Sequence, residues 1–111
     1  AVAVLEGKLY AVGGFEHDDD LSSVERYDPA ANAWEEVAPM ATPRVNHAVA
    51  VIDGKVYAVG GYTNGVISSV ERYDPAAGAW EAVAPLAEGR DGLAVAVLDG
   101  KLYAVGGVND D

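Results

Sequence analysis

Three different residue marks recur in this chain at one spacing, and that spacing limits the folds open to it. Gly13-Gly14 returns as Gly60-Gly61 and again as Gly106-Gly107, 47 and then 46 residues later. Glu25-Arg26-Tyr27-Asp28-Pro29 returns as Glu71-Arg72-Tyr73-Asp74-Pro75, and Trp34 returns as Trp80. A shared period of this length belongs to repeat architectures, in which each repeat is one supersecondary unit that buries its apolar faces only against its neighbours.

The punctuation inside one period divides it into four short strands. The first is the Ala/Val run Ala48 to Ile52, closed by Asp53-Gly54, a two-residue hairpin signal. The second, Lys55 to Val59, ends at paired glycines, which accept positive φ without a Cβ clash. A polar loop leads to a third strand, Ser69 to Asp74, which Pro75 ends because proline cannot donate to a ladder. A turn then leads to a fourth strand around Trp80 and Val83, closed by Pro85. Residues 2 to 39 carry the same string, whereas Leu93 to Val105 carry only the first two strands. Four short strands joined by tight turns predict a meandering antiparallel sheet, the blade of a β-propeller. The first strand (Val2 to Leu5, Val49 to Ile52, Val95 to Leu98) is apolar on both faces, as expected of a strand held between neighbouring blades. The expected fold is all-β: blade 1 over residues 1–39, blade 2 over 40–86, and the inner half of a third over 87–111.

These residues resemble the kelch repeat: a Gly-Gly pair after the second strand, a Tyr about a dozen residues on, and a Trp beyond it. The marks are Gly13, Gly14, Tyr27 and Trp34, then Gly60, Gly61, Tyr73 and Trp80, with Gly106 and Gly107 opening a third set. The repeat sequences are most similar to the propellers of BTB-kelch adaptors. That resemblance implies a propeller with its loops gathered on one rim, where the family binds peptides. Adaptors that grip acidic peptides line the rim with Arg and Ser. Here the matching positions hold Asn46 and Gly92, and the loop Phe15-Glu16-His17-Asp18-Asp19-Asp20 is acidic, so that specificity is not expected. Residues 21 to 39 and 67 to 85 agree at most positions, which points to a consensus or symmetric design; a recently amplified natural repeat is the alternative.

Charge and composition exclude several functions. Seven Lys and Arg against eighteen Asp and Glu give a net charge of −11, which disfavours nucleic acid and anionic membranes. No apolar run reaches the length of a membrane span. With no Cys, thiolate metal sites, disulfides and a Tyr–Cys cofactor are unavailable. The serines Ser22, Ser23, Ser68 and Ser69 have no His placed to activate them, and the carboxylates lie mostly on turns. No catalytic residue and no cofactor are expected, and the chain reads as a non-enzyme. The opening Ala-Val-Ala-Val without an initiator Met fits a processed chain or part of something longer. A soluble protein is expected, cytoplasmic on expression, with its native compartment left open.

Two groups of side chains are candidate sites. His17, Asp18, Asp20 and His47 supply nitrogen and oxygen donors for Zn, Ni or Cu, though without tight ligand spacing; Asp18 to Asp20 suggest Ca²⁺ more weakly, and a solvated loop is the plain alternative. Phe15, Tyr62, Asn46, Arg44 and Arg90 are ligand-rim candidates, with packing at the loop base and structural ion pairs as the alternatives. Tyr27, Trp34, Tyr73 and Trp80 read as blade-packing residues.

Two and a half blades leave apolar faces open, and such faces mark association surfaces. The leading expectation is a building block that completes its ring by homo-oligomerisation, since head-to-tail contacts close when the rotation permits. Three two-blade chains would make six blades, with one of the near-copies Ala1 to Gly14 and Ala94 to Gly107 redundant. The alternative is a module that binds a peptide or protein through its upper loops.

Overall fold

The structure is a computed structural model that describes residues 1–109. Ten strands follow one another without a helix among the described residues: β1 (Val2–Leu5), β2 (Lys8–Glu16), β3 (Asp19–Asp28), β4 (Ala33–Val37), β5 (Ala48–Ile52), β6 (Lys55–Val59), β7 (Val70–Asp74), β8 (Ala79–Val83), β9 (Ala94–Leu98) and β10 (Lys101–Val105). They form two four-stranded antiparallel meanders, β1-β2-β3-β4 and β5-β6-β7-β8, and the two-stranded sheet β9-β10. This is an incomplete propeller of about two and a half blades. Among the described residues no helix is long and apolar enough to cross a membrane.

Local chemistry sets each meander. The inner hairpins turn at Glu6-Gly7, Asp53-Gly54 and Asp99-Gly100, where φ is positive at both residues, the twist that matches right-handed strands. Tyr27 lies opposite Trp34, and Tyr73 opposite Trp80, so each blade carries an aromatic pair across its outer hairpin. The rings are 5.3 and 5.4 Å apart, within the range of favourable tilted packing.

Blade 1 departs from the expected loop after Gly14. β2 and β3 run on past a bulge between Val12 and Gly14, pairing Phe15 with Asp20 and Glu16 with Asp19. The acidic segment is therefore the tip of a hairpin, turning at His17 and Asp18 with φ of 50° and 66°. Blade 2 makes an irregular loop there, tied by bridges from Tyr62 to Val45 and Val66. β7 begins at Val70, one residue later than the sequence suggests.

Alternation along the strands assigns the faces. Ala3, Leu5, Tyr10, Val12 and Val24 of blade 1, with Met40 of the segment between β4 and β5, pack on Val56, Ala58 and Tyr73, with Trp80 at the margin. A smaller cluster, Val59, Val70 and Leu93, joins blade 2 to the half-blade through Val95, Leu102 and Ala104. Val2 and Val4 face away from the first seam and are 62 and 65% exposed.

Candidate functional site

The finished seam between blades 1 and 2 shows what the repeat is built to hold. Arg44, in the segment leading into β5, is fully buried. Its guanidinium donates to the carbonyl oxygens of Gly60 and Ser69 at 2.9 and 2.8 Å, to Ser69 Oγ at 2.9 Å, and to Glu71 Oε2 at 2.9 Å. Glu71 accepts two further bonds, from the Ala41 and Thr42 amides at 2.8 and 3.1 Å. Four charge-assisted bonds on one side and three on the other offset the cost of burying both ions. Beside this lock, the Trp80 indole N–H donates to the Ala38 carbonyl at 2.8 Å, across the seam. Tyr73 meets Tyr10 with ring centroids 6.0 Å apart.

Glycine closes the inner edge of each blade junction. The amide of Gly61 donates to the Arg90 carbonyl at 2.8 Å, as Gly14 does to Arg44. A Cβ on Gly60 would stand 2.8 Å from that Arg90 oxygen, and φ there is +61°, so only glycine fits.

At the two ends of the chain the same parts lack their counterparts. Glu25 and Ser23, which match Glu71 and Ser69, are exposed, and among the described residues no cation pairs with Glu25. Trp34, which matches Trp80, is 48% exposed. Arg90 matches Arg44; it donates to Gly106 O at 2.9 Å, as Arg44 does to Gly60 O, and pairs more loosely with Glu88 at 3.9 Å. On the far face of blade 2 a cavity of about 320 Å³ opens, walled by Tyr57, Val70, Val83, Leu86, Leu102 and Ala104, with Arg72 and Ala84 at its margin. Beyond it, Leu98, Tyr103 and Val105 lie exposed on β9 and β10.

The metal candidates are not brought together. His17 stands at the hairpin tip, its side chain 87% exposed and 3.5 Å from Glu16 Oε1. His47 is buried in the first seam, where Nε2–H donates to the Val12 carbonyl at 2.8 Å. A carbonyl can only accept, which fixes the tautomer. Burial, with the chain's amino terminus and Arg44 nearby, lowers the His47 pKa to about 4, so the ring is neutral. A two-residue turn leaves His17 and Asp18 exposed at the hairpin tip while Asp20 is half-buried in β3, and no group of three potential ligands forms among the described residues.

The rim candidates divide. Arg44 is a correction: its buried bonds leave no surface for a ligand. Phe15 and Tyr62 are 60 and 39% exposed after their glycine pairs. Asn46 has φ of 53° and its carbonyl accepts from Gly92 N at 2.9 Å, linking the segments that lead into adjacent blades. Arg90 is partly exposed at the open end. Sequence reading overlooked Ser69 and Glu71 as the partners of Arg44, and the cavity walls entirely. The signal was present: Arg44 and Arg90 share one spacing with Glu25 and Glu71, and one member of each is left over.

Against this geometry, a family model described as the Kelch motif matches residues 1–41 and 43–87. Human Kelch-like protein 35 is 54% identical over 39 residues, which are 35% of this chain and 7% of that protein. Human Kelch repeat and BTB domain-containing protein 13 is 51% identical over 43 residues, 39% of this chain and 9% of that one. The mouse Influenza virus NS1A-binding protein homolog is 48% identical over 42 residues, 38% of this chain and 6% of its own length. The chain thus spans less than a tenth of these relatives. The solved structure of YjhT superposes with a TM-score of 0.84 at 26% identity, covering 97% of this chain and 33% of that one.

Proposed function

Because the chain belongs to the kelch-repeat family, we propose that it is a non-catalytic protein-interaction module that works by blade-to-blade association through its open faces. The observation that carries this reading is the cavity on blade 2, whose walls repeat those that hold Tyr73 and Trp80 in the finished seam. Catalysis has little support: the buried ions Arg44 and Glu71 are spent on each other and on backbone groups, and the neutral His47 is closed in the seam. Light scattering on the 111-residue chain tests the proposal. Mass rising with concentration to a multiple of 11.5 kDa is the expected result. A folded 11.5 kDa species at every concentration would refute it.

A second reading is favoured by one difference between the blades. The hairpin carrying Phe15 and the loop carrying Tyr62 offer unlike exposed aromatics. The relatives' names include a protein that binds another protein. A peptide ligand on this rim would be cationic, given the acidic tip. A peptide array that retains no basic sequences would rule this reading out.

A further inference from the structure

The occupant of the open cavity can be identified from the chain itself. Each wall residue has its match in the finished seam: Tyr57 for Tyr10, Val70 for Val24, Val83 for Val37, Leu86 for Met40, Leu102 for Val56 and Ala104 for Ala58. In that seam the matched walls receive Tyr73 and Trp80. The chain holds one other such pair, Tyr27 and Trp34, with the same cross-strand register and nearly the same ring separation. It sits on the open face of blade 1, with Trp34 half exposed. A single copy cannot place its own first blade on the far side of its second.

We infer, on the association reading above, that the partner is a second copy of this chain, whose Tyr27 and Trp34 fill the cavity while its Glu25 and Ser23 engage Arg90. The template fixes the remaining bonds. Trp80 N–H reaches Ala38 O, so Trp34 N–H of the incoming copy reaches the carbonyl of Ala84, an exposed residue. Glu71 accepts from Ala41 N, Thr42 N and Arg44, so the incoming Glu25 accepts from Ala87 N, Glu88 N and Arg90. Charge, donor count and apolar shape therefore agree on one register.

The half-blade does not obstruct this contact. Leu102 and Ala104 of β10 line the cavity, and the incoming copy carries Leu9 and Ala11 at the matching places of β2. The walls are the same in kind whether β3 and β4 of the incoming copy add to the free edge of β10 or a whole incoming blade replaces β9 and β10. The near-copies Ala1 to Gly14 and Ala94 to Gly107 are two strand pairs for one position, and either can stand aside.

Sedimentation equilibrium of the 111-residue chain and of Trp34→Ala, Glu25→Gln, Arg90→Gln and the double variant E25Q/R90Q tests the register. All three positions are at least partly exposed in the single chain, so far-UV circular dichroism should be unchanged and folding failure is checked directly. Trp34→Ala should weaken association by at least about tenfold, the scale of a buried aromatic anchor. Each charge variant should weaken it too, with the double no worse than the more damaging single, because both remove one pair. Assembly that persists undiminished in Trp34→Ala and Arg90→Gln would overturn this register while leaving association through the faces intact. A wild-type chain that never associates would overturn both.

Discussion

The seam between blades 1 and 2 and the open face beyond blade 2 are made of the same amino acids in different states. Arg44 is fully buried and Arg90 partly wet; Tyr73 is enclosed while Tyr27 is only half covered. The glycines show the difference most sharply. A Cβ on Gly13 would lie 3.0 Å from the Arg44 carbonyl, and one on Gly61 2.6 Å from Val45 O, yet Gly106 and Gly14 have nothing within 4 Å. The first glycine of a pair receives the segment leading into the next blade, and the second lies under the segment leading into its own. At the chain's ends one of those segments is lacking. A repeat motif is thus a set of half-contacts, and burial is conferred by the neighbour.

The largest test of that comparison removes the buried carboxylate. Glu71→Ala strands Arg44 and should cost about 3–5 kcal/mol, the usual cost of breaking a buried pair. Glu25→Ala, measured at concentrations where the chain is monomeric, should change stability by less than about 0.5 kcal/mol. Urea denaturation of both variants measures the gap, and equal losses would contradict the assigned difference between the two positions.

Acidification comes next. The folded chain holds His47 neutral down to about pH 4, whereas the unfolded chain protonates near 6.5. The unfolded state binds the proton first, so this contribution is intact above pH 6.5 and declines as pH falls towards 4, by roughly 3 kcal/mol in full. Leu93 occupies the matching place in the second cluster. The variant His47→Leu should flatten the stability profile between pH 7 and 4 in thermal melts. A profile that kept its slope would assign the effect to carboxylates instead.

Glycine substitution sharpens the comparison at smaller scale. Gly60→Ala should cost about 2–4 kcal/mol from overpacking added to backbone strain, and Gly106→Ala about 1 kcal/mol from strain alone. Differential unfolding midpoints would show it. The smallest effect is expected at the surface pair of Arg26 with Glu35, 2.7 Å apart at Nε and Oε1. Glu35→Gln should move stability by no more than about 0.5 kcal/mol, and less in high salt.

Much of the blade was legible beforehand because its signals are local. Asp53-Gly54 and the alternating Ala/Val strands delimit β5 and β6 within a few residues, and the expected ends agree with those observed. The segment Phe15 to Asp20 was less legible. Its acidic run reads as a solvated loop, yet strand pairing through Phe15 and Asp20 continues because His17 and Asp18 both adopt positive φ. Asp and His both enter that region more readily than most residues, but neither demands it as a glycine pair would. The candidate metal set failed for a different reason. Adjacent loops on a rim do not imply side chains that converge, and His47 turned inward to a carbonyl that only packing placed there.

The sequence by itself determined the repeat, its four strands, its turns and the family, because all of these follow from backbone preferences and spacing within one blade. Only the tertiary structure decided that Arg44 is a lock and not a ligand contact, that Trp80 is held while Trp34 waits, and that a walled cavity lies over blade 2. The reason is physical. Identical residues in successive repeats share their local conformation, but desolvation, pairing and packing depend on what stands opposite, and that is a property of the stack.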